Sequence, residues 1–395
     1  RARSPQGQSK TPPREDVMVR AVRRPPLGIG VIGCGTIANS AHLPAIRRLR
    51  DRLRLVAVAD VRDEQAARAA REYGAEAYYT DYHQLLARPD IAIVDICTPE
   101  RLHGEQVVAA AEAGKHILCE KPMTDSLAAA DAMIAAARRA GVKFMVGHSR
   151  RFTPRYRVVR AAIDRGDIGE VRLVRENERR PRAMYDVLRL PSSHWAPEGK
   201  PWLSAAGYTL GAAMTNAVHE TDLLRWYAGA EAASVYAESR ITDPDGEVPD
   251  FITITVRFRN GALGATEIVN RLPHGYPYYH HLEVFGTGGL IRADDPAMVT
   301  YSEYRADTGL RQPLNFGTLL HVDDAYVEEL RALADAVSDD TPVPLPPEEA
   351  RAAVALALAA VQSSAEGRVV QLDDAGDERR ATSHEPGQPA ADDGE

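Results

Sequence analysis

The stretch Leu27–Ala38 reads LGIGVIGCGTIA and joins a short apolar run to a glycine-rich turn. Ile29, Val31 and Ile32 make up the apolar run. Such a run is typical of a strand that is buried on both faces of a parallel sheet. The turn has the pattern G-x-G-x-x-A, which lets the backbone approach a pyrophosphate at the N-terminus of the following helix. Because glycine turns are common, the residues that follow decide whether this turn binds a nucleotide.

The second apolar run, Leu53–Ala59, ends in an acid, Asp60. A carboxylate at this position accepts hydrogen bonds from the ribose hydroxyls of NAD and repels the 2′-phosphate of NADP. Asp60 could instead cap the helix that starts near Asp63, but the order of strand, turn, helix, strand and acid favours the ribose role. Arg62 keeps NADP open as an alternative, since a guanidinium can bind its 2′-phosphate. The cofactor contacts predicted in this part of the chain are Gly33, Gly35, Thr36, Ile37, Ala38, Asp60 and Arg62.

The next buried strand, Ile91–Ile96, stops just before Thr98 and Pro99. Ligands of open α/β sheets bind at the carboxyl ends of the strands, so we expect both residues to contact the cofactor. His103 follows, and the pattern predicts that it opens a helix over Glu105–Ala113 with Gly104. His103 therefore either contacts the cofactor or only begins that helix.

Lys121 directly follows the predicted strand Lys115–Glu120 and precedes Pro122. A lysine at a strand's carboxyl end, beside a nicotinamide, can polarise a substrate hydroxyl or carbonyl group. The alternative is an ordinary surface lysine. The proline would hold the loop in one geometry, either trans or cis, and Glu120 would lie beside the cofactor.

Composition and charge narrow the possible function classes. The chain has 395 residues, which suits two domains, and its net charge of −8 argues against a general nucleic-acid binder. No apolar run reaches the ~18 residues of a membrane span, and no apolar segment follows the basic N-terminus, so we expect neither a membrane protein nor a secretory signal. Cys34, Cys97 and Cys119 lack the spacing of a zinc site or a disulfide framework, which favours a cytoplasmic protein without a metal.

The order of predicted strands and helices changes after about residue 148. Strands and helices alternate up to that point, which predicts a doubly wound, mostly parallel sheet. Beyond Gly169 the runs alternate apolar and polar residues, as in FITITVRF at Phe251–Phe258, and Asn260-Gly261 signals a hairpin. This pattern predicts an open, mainly antiparallel sheet with helices on one face. Its other face would then be available for a homodimer or homotetramer contact.

The predicted organisation has four parts. They are a disordered lead-in over 1–25, a dinucleotide-binding domain over 26–148, an α+β substrate and oligomerisation domain over 149–371, and a disordered acidic tail over 372–395. Two loop segments, Arg179–Tyr208 and Arg271–His281, would shape the substrate pocket. Its predicted wall residues are Tyr185, His194, Trp195, Trp202, Tyr278 and His280.

One predicted helix, Met214–Ala228, interrupts the second sheet and carries His219. Asp222 and Trp226 lie three and seven positions further on, so they can share a helix face with the histidine. A lone histidine in such a helix is usually a buried structural residue. The alternative is a general base, since an unperturbed imidazole pKa of ~6.5 suits proton removal from an alcohol near neutral pH.

Together these segments resemble the Gfo/Idh/MocA family, which contains glucose–fructose oxidoreductases, inositol dehydrogenases and related sugar dehydrogenases. The segment AAEAGKHILCEKP is the most specific match. The segments that carry the resemblance are GIGVIGCGTIA at Gly28–Ala38, Asp60, ICTPERLHGEQVVAAAEAGKHILCEKPM at Ile96–Met123, RRFTPRY at Arg150–Tyr156, the helix MTNAVHETDLLRW and EEARAAVALALAAVQSSAEGRVV at Glu348–Val370.

The resemblance implies a Rossmann-type domain followed by an α+β domain, with the last helix packed near the first domain. It also implies that Lys121 is catalytic and contacts the substrate, and that His219 accepts or donates the proton. The substrate contacts expected on this basis are Lys121, Arg151, Thr215, Asn216 and His219. Thr215 stands where many members have an aspartate, and the usual glycine triplet before this helix is reduced to Thr209-Leu210-Gly211. Both departures bear on substrate and proton transfer rather than on the cofactor.

The leading functional prediction is an NAD(P)-dependent oxidoreductase acting on a secondary hydroxyl of a sugar, sugar derivative or cyclitol. His219 would take the hydroxyl proton, and Lys121 would hydrogen-bond the same oxygen. Two alternatives stay open. One is a glycosidase that uses bound NAD transiently, and the other is a non-catalytic sensor of NAD or sugar.

Overall fold

A computed structural model describes residues 25–181, 211–242, 249–272, 279–294, 298–305, 309–310, 314–316 and 323–372. The lead-in up to residue 24 and the tail from residue 373 lie outside the described residues. So do five of the predicted wall residues, which are Tyr185, His194, Trp195, Trp202 and Tyr278.

The N-terminal half contains a six-stranded, all-parallel sheet with the strand order β3-β2-β1-β4-β5-β6. The order reverses between β1 and β4, which places a crevice at their carboxyl ends. The predicted doubly wound sheet is therefore confirmed. Its strands are β1 (Leu27–Ile32), β2 (Leu53–Ala59), β3 (Ala77–Tyr79), β4 (Ile93–Ile96), β5 (His116–Glu120) and β6 (Phe144–Gly147).

Helices connect these strands. A π-helical turn, Ala38–His42, leads into the first α-helix where the sequence predicts one continuous helix. Gly74 and Gly141 end the second and fifth helices in the left-handed conformation that glycine adopts without strain. The five helices are α1 (Leu43–Arg48), α2 (Asp63–Tyr73), α3 (Tyr82–Leu86), α4 (Glu100–Glu112) and α5 (Leu127–Ala140).

Helix α4 begins earlier than predicted. It starts at Glu100, directly after Pro99, so His103 and Gly104 lie inside the helix instead of opening it. Pro99 lacks an N–H group and has extended dihedral angles, which makes it the natural boundary. Gly104 is tolerated in the helix interior and does not break it.

The second sheet is mixed but mostly antiparallel, with the order β14-β13-β12-β11-β7-β10-β9-β8-β16, and β15 pairs with β13. Within the described part of this second sheet, only β7 and β10 pair in parallel. The predicted α+β class is confirmed. The strands are β7 (Val171–Pro181), β8 (Ala232–Arg240), β9 (Phe251–Phe258), β10 (Leu263–Leu272), β11 (Tyr279–Gly286), β12 (Gly289–Asp294), β13 (Met298–Arg305), β14 (Gly309–Leu310), β15 (Leu314–Phe316) and β16 (Val370–Gln371).

The helices in the described part of this half are α6 (Pro154–Asp164), α7 (Gly211–Ala228), α8 (Asp323–Asp339) and α9 (Pro347–Glu366). A 3₁₀ turn, Ser149–Phe152, precedes α6, because Thr153 is extended before Pro154 and separates the two elements.

Helix α9 belongs to the apolar cores of both halves. Ala350, Ala353 and Val354 pack with the parallel sheet, whereas Leu356 and Ala357 pack with the second sheet. The expected packing of the last helix against the first domain is observed. Helix α8 packs through Leu330 and Leu333 against the side of the parallel sheet that carries the glycine turn.

Candidate active site

The glycine turn lies at the carboxyl end of β1 and is held tightly against β4. Gly33 has a φ of +92°, and a Cβ at this position would lie 2.9 Å from the carbonyl carbon of Cys97. Only glycine therefore fits the turn without displacing the neighbouring strand end. The Asn39 side chain donates hydrogen bonds to the carbonyl oxygens of Cys34 and Gly35, at 2.6 and 2.7 Å. These bonds hold the turn in its conformation.

Three other predicted cofactor contacts follow Gly35 in the turn. Thr36 is exposed, Ile37 is half-buried and Ala38 is buried at the start of the π-helical turn.

Asp60 lies next to this turn, at the carboxyl end of β2. Its Oδ2 accepts the Cys34 N–H group at 2.8 Å, and its Oδ1 accepts the Arg62 N–H group at 2.9 Å. The carboxylate is only partly buried, and Arg62 is exposed. Sequence and structure thus agree in placing an acid beside the glycine turn.

His103 connects the loops that follow β4 and β5. Its ring is fully buried, with Nε2 2.8 Å from the carbonyl oxygen of Thr98 and Nδ1 2.9 Å from that of Pro122. Both loops carry predicted cofactor contacts. The described contacts of His103 are therefore with the backbone on either side of the crevice, and Thr98 and Pro99 are partly exposed at its edge.

Lys121 follows β5 at the same edge of the sheet, and its peptide bond to Pro122 is cis. The Lys121 N–H group donates to Oε2 of Glu120 at 2.9 Å. Burial lowers the pKa of Lys121, and the guanidinium groups of Arg180 and Arg150 lower it further, against the opposing effect of Glu120. The ammonium group therefore releases its proton more easily than a surface lysine does.

His219 lies on α7 with 8% of its surface exposed. Burial and the positive charges of Lys121 and Arg150 hold the pKa of His219 well below its usual value. Its Nδ1 has no hydrogen-bond partner among the described residues. The ring is thus a neutral imidazole near pH 7, in a state that can accept a proton.

A second buried histidine, His148, lies edge-on to His219 with 6.1 Å between the ring centroids. Its Nδ1 is 3.7 Å from Oδ2 of Asp222, three residues after His219 on the same helix. Burial lowers the pKa of His148 as well. Sequence reasoning missed His148, because it stands alone at the end of β6 and belongs to no recognisable pattern.

Arg151 forms a bidentate pair with Asp222, at 2.8 and 2.6 Å, and reaches Glu349 of α9 at 3.0 Å. These described contacts tie the 3₁₀ turn to two helices. Thr215 and Asn216 lie on α7 one turn before His219, and their side chains are outside the described part of the structure.

Arg150 lies among three buried glutamates, a group that we call the Arg150 cluster. Its guanidinium contacts Glu176 at 3.5 Å and Glu178 at 2.8 Å, and it also binds Glu220. His280 joins the cluster, with Nδ1 2.8 Å from Glu176 and Nε2 3.2 Å from Glu178. His280 was predicted only as a wall residue; the glutamates were missed, because they come from β7 and α7, far apart in sequence.

His42 forms a second buried ionic group on the other side of Lys121. Its Nδ1 is 2.8 Å from Oδ2 of Asp95, and its Nε2 is 3.0 Å from Oε1 of Glu120. Burial opposes the charge, but Asp95 and Cys97 together outweigh it and hold the pKa of His42 well above its usual value. We call these three residues the His42 triad.

Side chains of metal-ligand type meet in both groups. The donor atoms of His42, Asp95 and Cys97 lie within 4.8 Å of one another, as do those of Glu176, Glu220 and His280. In each case the carboxylates already accept hydrogen bonds from within the group or from the Arg150 guanidinium. Neither group follows a ligand spacing that can be read from the sequence.

Glu329 on α8 gives a stability prediction. It is fully buried, neither carboxylate oxygen has a partner among the described residues, and burial raises its pKa well above the usual value. A raised folded-state pKa means that stability is lost as pH rises from the unfolded-state pKa toward the folded one. The free energy of unfolding of Glu329→Gln, relative to that of the wild type, is therefore expected to rise by at least about 1 kcal/mol from about pH 5 to about pH 8.

Thermal or urea unfolding at several pH values measures this difference. Glu328→Gln is the matched control, because Glu328 is partly exposed and pairs with Arg331 at 2.7 Å. Its substitution should not produce the same gain. A pH profile of Glu329→Gln parallel to that of the wild type would contradict the assignment.

Among the described residues, no helix is both long and apolar enough to cross a bilayer. Cys34, Cys97 and Cys119 are buried free thiols.

Comparison with known proteins shows which family models and relatives this chain matches. Residues 27–148 match the oxidoreductase family described as having an NAD-binding Rossmann fold, and residues 156–292 match the GFO/IDH/MocA C-terminal domain. Myo-inositol 2-dehydrogenase of Thermotoga maritima is 31% identical over 353 residues, which covers 88% of this chain and 98% of the relative. The NAD⁺-dependent scyllo-inositol 2-dehydrogenase of Bacillus subtilis is 30% identical over 364 residues, covering 90% and 98%. A solved levoglucosan dehydrogenase in complex with NADH superposes with a TM-score of 0.77 at 25% identity, covering 88% of this chain and 99% of that one.

Proposed function

Because the chain belongs to the Gfo/Idh/MocA family of NAD-dependent oxidoreductases, we propose that it oxidises a secondary hydroxyl of a sugar or cyclitol. The observation that supports this most directly is the position of Lys121 and His219. One lies at the end of β5 and the other on α7, yet the charge of Lys121 lowers the pKa of His219, and Arg150 lowers the pKa of both. The relatives named for inositol and levoglucosan favour polyhydroxylated substrates.

The geometry of the crevice also supports a bound dinucleotide, independently of the relatives. Gly33 leaves no room for a side chain against β4, so the turn backbone is free to face a pyrophosphate. The Asp60 side chain is partly exposed beside the glycine turn, where a ribose would lie. We assign the adenosine side to Asp60 and the nicotinamide side to Thr98, Pro99 and Glu120. A bound NAD supplies the hydride acceptor.

Two residues carry the proton chemistry. His219 accepts the hydroxyl proton, since its depressed pKa keeps it neutral. Lys121 donates a hydrogen bond to the same oxygen and stabilises the negative charge that develops there. His103 acts as a positioning residue, because it holds the loops before α4 and after β5.

The pH dependence of kcat/KM follows from these two pKa values. The acid limb reports His219 and should lie below pH 6.5, whereas the alkaline limb reports Lys121 and should lie below pH 10.5. Lys121→Arg should abolish the alkaline limb, because a guanidinium stays protonated. His219→Asn should likewise abolish the acid limb in whatever activity remains. Steady-state rates across this pH range check both limbs, and an acid limb above pH 6.5 would contradict the assignment of His219.

A redox-assisted glycosidase is the second candidate, since the same cofactor and residues would serve its first oxidation step. Reduction assays with NAD and NADP against sugars, aminosugars, nucleotide sugars and inositols separate the two. We expect reduced NAD to accumulate with one or more cyclitols or sugars. Consumption of a glycoside with no net reduction would favour the glycosidase instead.

We also propose that the open face of the second sheet forms a contact between copies. A row of apolar side chains crosses it, and the strand register places Leu173 beside both Leu263 and Phe285. Leu263 is 42% exposed. Sedimentation of the full chain should therefore give a dimer or tetramer, and Leu263→Glu should shift it toward the monomer.

A further inference from the structure

We propose that the His42 triad fixes one net negative charge beneath the nicotinamide subsite and thereby strengthens binding of NAD⁺ relative to NADH. The inference rests on the proposed placement of the nicotinamide beside Glu120. It concerns residues that have no part in the proton transfer assigned to Lys121 and His219.

The charge of the triad follows from its hydrogen bonds. Both ring nitrogens of His42 face carboxylate oxygens, at 2.8 Å from Asp95 and 3.0 Å from Glu120. A carboxylate only accepts hydrogen bonds, so both nitrogens must carry a proton. Two carboxylates and one imidazolium give a net charge of −1. All three side chains are 6% exposed or less, so water screens this charge poorly.

The Lys121 ammonium group offsets part of this charge from the crevice side, whereas the other neighbouring titratable groups are neutral. Cys97 donates to Oδ1 of Asp95 at 3.6 Å, and burial raises the pKa of its thiol, which keeps it neutral. Burial likewise raises the pKa of Glu329, which keeps that acid protonated. Tyr326 lies edge-on to the His42 ring at 5.2 Å and adds no charge near neutral pH.

The position of the triad relates it to the cofactor. Glu120 ends β5 and Asp95 lies on β4, on the opposite side of β1 from Asp60 and β2. In a sheet of this order the adenosine half lies toward β2 and the nicotinamide half toward β4 and β5. Glu120 also accepts the Lys121 N–H group, so the triad lies directly behind the residue assigned to the reacting oxygen.

A fixed negative charge distinguishes the two forms of the cofactor. The nicotinamide ring of NAD⁺ carries a positive charge, whereas that of NADH is neutral. One unit charge at about 10 Å, with an effective dielectric constant of about 20, corresponds to about a tenfold change in relative affinity. The triad would therefore draw the equilibrium on the enzyme toward the oxidised cofactor.

The double variant Asp95→Asn/Glu120→Gln tests the charge with little change in shape. It removes both carboxylates, so His42 becomes a neutral imidazole and the triad carries no charge. We expect the ratio of the NADH dissociation constant to the NAD⁺ dissociation constant, measured by calorimetry on the full chain at about pH 8, to fall about tenfold. In each single variant one carboxylate remains, the new amide N–H group donates to the facing nitrogen of a neutral His42, and the net charge stays at −1. The ratios of Asp95→Asn and of Glu120→Gln should therefore both stay within about threefold of the wild-type value.

The outcomes separate charge from shape and from the proposed function. Asp131→Asn is the control, because it removes a carboxylate paired with Arg351 at the surface, and its ratio should not change. An unchanged ratio in the folded double variant would overturn the inference. So would a single variant whose ratio falls as far as that of the double variant. Failure of the wild type to bind either nucleotide would instead refute the cofactor site itself.

Discussion

Replacement of Lys121 by methionine is expected to lower kcat by about a thousandfold without weakening NAD⁺ binding. Methionine keeps the apolar length of the side chain but can neither donate a hydrogen bond nor carry a positive charge. The loss should therefore fall on the step in which charge develops on the substrate oxygen. Stopped-flow measurement of NAD reduction, together with calorimetric NAD binding, separates the chemical step from cofactor affinity.

Lys115→Met is the matched control, because Lys115 is another buried lysine at the opposite end of β5. Its Nζ donates to the carbonyl oxygens of Arg88 and Ile91, at 2.7 and 2.9 Å. Its loss should cost about 1–3 kcal/mol of stability with little effect on kcat. Equal losses of kcat in the two variants would show that Lys121 acts through the fold and not through the reaction.

Arg150→Met is expected to destabilise the protein by about 3–5 kcal/mol. The substitution leaves Glu176, Glu178 and Glu220 buried without the cation that they share. Arg150 lowers the pKa values of Glu178 and Glu220, so both values rise in the variant and the loss of stability should grow as pH rises. Urea unfolding at about pH 5 and about pH 8 measures both effects.

The control for Arg150 is Arg351→Met. Arg351 pairs with Asp131 at 2.5 and 2.9 Å, and Asp131 is largely exposed, so its loss should cost less than about 1 kcal/mol. A cost for Arg150→Met as small as that of the control would mean that the cluster is already neutralised by protonated glutamates.

Much of the fold can be predicted from local sequence. Leu53–Ala59 and Phe251–Phe258 have the bounds that their apolar patterns predict, and so does helix Asp63–Tyr73 with Gly74 after it. The strands Gly289–Asp294 and Met298–Arg305 were not predicted. They pair with each other, and the first of them also pairs with β11. Their stability depends on that pairing more than on their own pattern.

The site was predictable where a residue directly follows a strand. Asp60 and Lys121 each end a buried run, and the topology of a parallel sheet then brings them to one edge. The His42 triad was not predictable in this way. His42 is 53 residues from Asp95 and 78 from Glu120 in sequence, so only the packed strands reveal that they meet.

We expect this NAD-dependent oxidoreductase to transfer hydride from the hydroxyl carbon of its substrate to the nicotinamide and to leave it there. The most direct test is the stoichiometry of reduced NAD formed to substrate consumed, with the sugar or cyclitol that gives the highest rate. We predict one reduced NAD for each substrate molecule oxidised to a ketone. Substrate turnover without any net reduction of NAD would contradict the claim.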